Sequence, residues 1–320
     1  MNTCFLGVEI GGTKIQVALG TQKGKLLAVE KSPVDVDQGA EGILAWISRA
    51  IPEITQQHLP SGDKLVAIGC GFGGPFNKKN GQVITSVHIH GWQGFYLKDW
   101  FENTFSLPAI VDNDSNVAAW GEYCLGTGKG CQHFFYTNIG SGVGGGLILD
   151  GKLFLGQGYG AGEFGHMYVP DWLDPVPGKA AVIESLCSGW AITSRLQTKG
   201  YVPQDSQIME LVSGKKNKIT PEILAKAGKS GDKFALEEID RVAHSMGIGL
   251  ANVINLTNVE RIGIGGGVSN LGELIIDPIR RFTQKYVFVA DNYMIDKSLL
   301  GNNIVLVGAI LLAAQELSEF

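Results

Sequence analysis

Cysteine is sparse and unpaired in this chain: five residues, at positions 4, 70, 124, 131 and 187, with no C-x-x-C spacing. An odd, scattered set supplies neither a disulfide framework nor a zinc knuckle, and points to a reducing, cytoplasmic setting. No long hydrophobic run is present. The longest, Ile304 to Ala314, is too short to cross a bilayer, so no membrane association is expected. The amino terminus has no basic stretch ahead of its apolar run, so no signal peptide is expected. Excess charge of one sign is missing too, with 26 Lys and Arg against 31 Asp and Glu. A broad basic face for nucleic acid is therefore not expected. No low-complexity linker divides the 320 residues, a length typical of two domains, so packed and hinged lobes are expected rather than tethered modules.

Glycine, by contrast, is abundant: 45 residues, about double the usual share. The glycines cluster after apolar runs, which suits tight strand-end turns and close backbone approach to a ligand. Cys4 to Ile10 reads as a strand, Gly11-Gly12-Thr13-Lys14 as a turn, and Ile15 to Leu19 and Lys25 to Lys31 as further strands. The same device recurs later: a strand from His133 to Ile139, a glycine turn over 140–146, and a returning strand from Leu147 to Leu149. Ile10-Gly11-Gly12-Thr13 and Ile139-Gly140-Ser141-Gly142 thus suggest two related lobes, each with a hairpin whose backbone N–H groups can cradle an anion. Helical spacing marks Ala40 to Gln57, which Pro52 is expected to break or kink, and also Pro221 to Lys229, Lys233 to Leu256, Leu274 to Tyr286 and Val307 to Leu317. Strands are expected at Lys64 to Cys70 and Arg261 to Ile264, and a short helix within Trp92 to Phe105.

Between the two glycine turns lies the stretch Ala109-Ile110-Val111-Asp112-Asn113-Asp114-Ser115-Asn116. A β-branched apolar run ends in carboxylates and amides, and an apolar helical run follows from Val117. Asp and Asn there make good helix caps. A carboxylate at the carboxyl end of a sheet strand is also where α/β folds place ligand chemistry.

Two glycine runs imitate a dinucleotide fingerprint. Gly140-Ser141-Gly142-Val143-Gly144-Gly145 leads into a strand, and the segment from Gly156 to Ala161 leads to Gly162-Glu163-Phe164-Gly165-His166. Neither opens the required helix, so a dinucleotide-binding fold is set aside. His88-x-His90 has no third ligand nearby and is not expected to bind metal. Glu163 and His166, with Glu184 downstream, form a polar set suited to hydroxyl groups; the alternative is that His166 packs structurally and Glu184 sits on a solvated helix face, the reading favoured for Glu184 taken alone.

Five motifs occur in the order of the ROK family, which groups repressors, open reading frames and kinases, and the chain resembles that family over nearly its whole length. They are Glu9-Ile10-Gly11-Gly12-Thr13-Lys14; Asp112-Asn113-Asp114-x-Asn116-x-Ala118-Ala119-x-Gly121-Glu122; Ile139 to Gly146; Ala161 to His166; and Ile264-Gly265-Gly266-Gly267-Val268-Ser269. The resemblance implies an α/β, two-lobed actin/hexokinase-like ATPase fold with ribonuclease H-like lobes. The lobes are expected at 1–115 with 305–320, the smaller, and 116–304, the larger. It implies an ATP-dependent hexose kinase, with glucose phosphorylated at its 6-hydroxyl. N-acetylmannosamine, N-acetylglucosamine or fructose are alternative substrates, and a non-catalytic sugar-binding regulator is an alternative of another class.

By the same resemblance Asp114 is the general base, and Gly74, Asn113, Glu163, His166 and Glu184 contact the sugar. Gly11, Gly12, Thr13, Lys14, Gly140, Ser141 and Gly142 face the ATP phosphates, Gly265 and Gly266 the adenosine, and Mg²⁺ lies near Glu9. A homodimer is compatible with the family. The chain also departs from it. Glu9 stands where Asp is frequent, and Gly73 replaces the proline of a P-G-P loop. The cysteines of a C-x-C-G-x-x-G-C zinc site are missing from Tyr168 to Ile183, which holds Pro170, Pro175 and Pro177. Structural zinc is therefore not expected. With the first strand at Cys4, no amino-terminal helix-turn-helix is expected either.

Overall fold

The apolar runs pair into two five-stranded sheets of the same design. A computed structural model describes residues 2–86, 89–157, 160–289 and 292–318; His88 and the Gly158-Tyr159 pair of the second glycine run lie outside them. In chain order the elements are β1 (Thr3–Ile10), β2 (Lys14–Thr21), β3 (Leu26–Pro33), α1 (Gly39–His58), β4 (Lys64–Phe72) and the short β5 (Phe76–Asn77) and β6 (Gln82–Val83). Then come α2 (Leu97–Phe105), β7 (Ala109–Asn113), α3 (Asp114–Leu125), β8 (Phe134–Ile139), β9 (Val143–Leu149) and β10 (Lys152–Leu153). A hairpin of β11 (Tyr168–Pro170) and β12 (Ala180–Val182) precedes α4 (Ile183–Cys187), α5 (Gly189–Gln197), α6 (Gln207–Leu211), α7 (Pro221–Lys229) and α8 (Lys233–Thr257). The chain ends with β13 (Arg261–Gly265), α9 (Glu273–Tyr286), β14 (Met294–Lys297) and α10 (Ile304–Ser318).

The first sheet has the order β3-β2-β1-β4-β7, the second β10-β9-β8-β13-β14. In the first, β1, β2 and β3 form an antiparallel meander, while β1, β4 and β7 run parallel. In the second, β9 and β10 are antiparallel, and β8, β13 and β14 run parallel. The repeated strand–glycine–strand device is therefore the visible part of a repeated sheet.

By contacts the chain forms two units. The first comprises Met1–Gln132, Gly146–Gly162 and Leu299–Phe320. Its sheet is covered on one side by α1 and α2, through a core that includes Ile43, Ile47, Ile54, Phe72, Trp92 and Phe101. Leu306, Ile310 and Ala313 of α10 pack with Phe5, Ala18 and Ala67 in a separate cluster. The second unit comprises His133–Gly145 and Glu163–Ser298, and α8 and α9 pack together within it.

Two expectations are corrected. The glycine turn does not extend to Gly146, because β9 already starts at Val143. A Cβ on Gly146 would stand 2.5 Å from the Ala119 Cβ and 2.8 Å from the Ser115 carbonyl oxygen, so this glycine is a strand residue that lets α3 approach. Pro52 does not break α1, which is continuous over Gly39–His58. The proline lies on the exposed side, where its missing N–H faces water, while Ile47, Ile51 and Ile54 keep the helix on the core. In addition, α4, α5 and the β11–β12 hairpin were not foreseen; α4 and the hairpin strands are too short to display a period.

Candidate active site

In the first unit, Ile10, Phe72 and Asn113 end three parallel neighbours in one row, Ile10 opposite Phe72 and Phe72 opposite Asn113. The turns that leave these carboxyl ends are therefore side by side. The Gly73 N–H donates to the Ile10 carbonyl at 2.8 Å, and Asn113 Nδ2 donates to the Gly74 carbonyl at 3.2 Å. Asn113 caps α3, its Oδ1 accepting from the N–H groups of Ser115 (2.9 Å) and Asn116 (3.4 Å). Asp114 is thereby the first helical residue. A Cβ on Gly73 would lie 3.2 Å from the Ile10 carbonyl oxygen and 3.4 Å from Asp114 Oδ2, so the backbone at 73 passes close to that carboxylate.

Asp112 builds this turn from beneath. Its Oδ1 accepts from the Asn113 N–H (2.7 Å) and from Asn116 Nδ2 (3.1 Å), and Lys78 Nζ lies 3.7 Å from Oδ2. Lys78 in turn pairs with Glu316 of α10 at 3.0 Å. Burial pushes the Asp112 carboxyl above the usual carboxylate range, opposed by Lys78 and by the hydrogen bonds from Asn116 and Asn113. For an acid with a raised folded-state value, the folded chain binds the extra proton, so stability falls as pH rises through that value. Asp112→Asn lacks this titration. Urea unfolding should show wild type gaining on the Asn variant as pH drops from 7 towards 4, and a pH-independent gap would refute the assignment.

At the opening turn, the Gly11 N–H donates to the Lys14 carbonyl (3.1 Å). Glu9 is buried with both oxygens engaged, Oε1 at 3.1 Å from Lys14 Nζ and Oε2 accepting from Gln16 Nε2 at 2.6 Å. Glu9 holds the lysine beside the glycine turn. Among the described residues no group of three or more His, Cys, Asp or Glu is placed to hold a metal ion.

In the second unit the counterpart turn is tied from two sides. The Gly140 carbonyl accepts from the Gly189 N–H at 2.7 Å, and that of Ser141 from the Trp190 N–H at 3.4 Å, so the first turn of α5 caps itself on the hairpin. The Val143 N–H donates to Glu184 Oε2 at 2.9 Å. A Cβ on Gly142 would stand 2.5 Å from the same oxygen. Gly265 ends β13 opposite Asn138 of β8. Gly266 follows with φ of +84°, and a Cβ there would lie 2.5 Å from Ile139. Glu163 and His166 are exposed in one 3₁₀ turn, where the His166 N–H donates to the Glu163 carbonyl at 3.1 Å. Glu184 is half-buried at the start of α4.

The structure thus brings Gly74, Asn113 and Asp114 together in the first unit, near the Gly11–Lys14 turn. In the second it joins Gly140, Ser141, Gly142 and Glu184, with Gly265 and Gly266 alongside. Sequence reasoning missed a cavity of about 590 Å³ lined by Gly140, Ser141, Trp190, Thr193, Gln197, Pro221, Glu222, Gly267 and Val268. Ser188, which caps α5 by accepting from the Ala191 N–H, was the one signal that a helix starts there.

The ROK family profile matches residues 5–316. This chain belongs to the ROK family. The ROK chain is 34% identical over 316 residues to a glucokinase of Halalkalibacterium halodurans, covering 98% of this chain and 95% of that one. A Streptomyces griseus ROK glucokinase solved with glucose and AMPPNP superposes with a TM-score of 0.82 at 31% identity, over 98% of this chain and 99% of the other. A ROK hexokinase from Thermus thermophilus gives 0.77 at 25% identity, over 99% and 100%. The two-lobed actin/hexokinase-like fold implied by the five motifs is that of this ROK chain, and it is an ATP-dependent sugar kinase.

Proposed function

We propose that this protein is a glucokinase that transfers the γ-phosphoryl group of ATP to the 6-hydroxyl of glucose. The observation that carries the reading is Asp114, intact at the carboxyl end of β7 in a chain 31% identical over nearly its whole length to a glucokinase solved with glucose and AMPPNP. Phosphoryl transfer asks little covalent chemistry of a protein; it needs positioning and neutralised charge. Asp114 accepts the proton of the attacking hydroxyl as that hydroxyl becomes acidic along the reaction. By the family resemblance, Gly74, Asn113, Glu163, His166 and Glu184 are the residues assigned to the sugar hydroxyls.

The Gly11–Lys14 and Gly140–Gly142 turns and the Lys14 ammonium are the groups assigned to the phosphates by the family resemblance. The cavity beside Trp190 and Gly267 has the size and mixed lining suited to a nucleoside. Half-exposed Trp190 offers its ring as a stacking surface. Mg²⁺ enters with ATP as part of that substrate.

The test is ADP release against glucose, N-acetylmannosamine, N-acetylglucosamine and fructose side by side. Glucose is expected to give the highest kcat/KM. A higher value for another sugar would move the substrate assignment, and ADP release indifferent to sugar would remove the kinase reading.

A further inference from the structure

We propose that Trp172 is a positioning residue for the sugar: held by two nearby guanidinium groups, it fixes the hairpin that His166 precedes and Glu184 follows. This rests on the kinase reading above. The β11–β12 hairpin has three residue pairs, Tyr168 with Val182, Val169 with Ala181 and Pro170 with Ala180. A two-stranded hairpin that short does not hold itself in water. Yet it leads directly from the turn of Glu163 and His166 to Glu184, and its last link, the Ile183 N–H to the Met167 carbonyl at 3.0 Å, lies between them.

Its support comes from one face of α8. At the root, Phe164 and Ile183 pack on Gly249, where a Cβ would meet the Ile183 Cδ1 at 2.5 Å and Phe164 Cε2 at 2.9 Å. One helical turn away, Trp172 Nε1–H donates to the buried Ser245 hydroxyl at 3.0 Å. Arg195 and Arg241 place their guanidinium carbons 4.8 and 5.7 Å from the Trp172 ring centre. Arg195 is itself buried and locked to Glu238, its Nε donating at 2.6 Å. Glu238, fully buried, also accepts from Tyr201 Oη at 2.8 Å. Positions 238, 241, 245 and 249 recur at three- and four-residue steps, so these supports lie along a single stripe of α8. A guanidinium held over the face of Trp is attractive, more so when desolvated. The ring therefore acts as the latch of the hairpin, and none of these groups belongs to the phosphate turns.

The experiment compares Trp172→Leu, Trp172→Phe and Ser245→Ala with wild type in steady-state kinetics, using glucose or whichever sugar of the panel the wild type turns over best. Trp172→Leu keeps bulk but loses the π face and the N–H. Its sugar KM is expected to rise about tenfold, equivalent to some 1.4 kcal/mol of lost binding, with KM for ATP unchanged. Trp172→Phe keeps a ring for the guanidinium groups and is expected to recover most of the loss. Ser245→Ala removes only the acceptor and should raise the sugar KM by about two- to threefold, on the scale of one neutral hydrogen bond. Equal rises in both KM values, an unmoved sugar KM in folded Trp172→Leu, or no recovery in Trp172→Phe would overturn the proposal. If Trp172→Leu does not fold, an unchanged sugar KM in Ser245→Ala overturns it. A wild type that consumes ATP with no sugar at all brings down the kinase reading and the latch together, whereas an active wild type with unmoved variants brings down the latch alone.

Discussion

Asp114→Asn should lower kcat by about 10²-fold or more, the scale of losing a general base, with little change in the KM for glucose. The structure makes this a clean substitution. The turn is shaped by its neighbours: Asp112 Oδ1 holds the Asn113 N–H and the Asn116 amide, and Asn113 Oδ1 caps the helix. Ser115 Oγ donates to Asp114 Oδ1 at 3.3 Å, a bond that an asparagine oxygen can keep. What the amide cannot do is accept the hydroxyl proton. A loss shared equally by kcat and kcat/KM marks an interaction made only in the transition state. Steady-state kinetics with glucose, beside thermal unfolding to show an intact fold, decide the matter. Near-normal turnover in the folded variant would remove Asp114 from the mechanism.

The largest effect on stability is expected from Glu122→Ala. Glu122 is fully buried at the end of α3. Its Oε2 accepts from the Thr127 N–H (2.8 Å), the Thr127 hydroxyl (2.6 Å) and the Leu299 N–H (3.3 Å), and its Oε1 from the Leu300 N–H (2.7 Å). One carboxylate thus ties the end of α3 to the segment that leads into α10. Alanine leaves all four donors without this acceptor, and each buried donor left unmade costs roughly 1–3 kcal/mol. A total of about 4 kcal/mol or more is expected, a large share of the roughly 5–15 kcal/mol that holds a typical domain. Glu122→Gln keeps an acceptor on one side and should lose much less. Urea unfolding of both variants checks this; an alanine variant as stable as wild type would show that water replaces the carboxylate.

Asp114 and Glu122 also mark how far local reading reaches. Both sit in one motif of the sequence, and the chemistry of Asp114 could be inferred from its place after an apolar strand. Glu122 looked like any helical glutamate. Its role depends on Leu299 and Leu300, some 177 positions away, and no periodicity reports such a distance. Gly146 teaches the same lesson from the other side. Its neighbours made it look like part of a turn, but what it needs is room for Ala119 and Ser115 of a helix placed by the rest of the unit. His166 and Glu184 could be picked out as polar residues in the sequence, yet the hairpin joining them has too few residues for a pattern. Trp172 could not be paired with Arg195 or Arg241 until α5 and α8 were in place.

The sequence by itself determined the longer strands of the two sheets, the long helices, the two glycine turns and the aspartate that follows β7. Each depends on neighbours within a few positions, where the alternation of apolar residues, the freedom of glycine and the capping power of Asp and Asn act directly. Only the tertiary structure decided the matching order of the two sheets, the engagement of Glu9 by Lys14 and Gln16, the cavity beside Trp190 and the support of the hairpin on α8. Those features arise from groups remote along the chain that meet by burying shared surface and satisfying one another's hydrogen bonds, and such pairings leave no trace in local spacing.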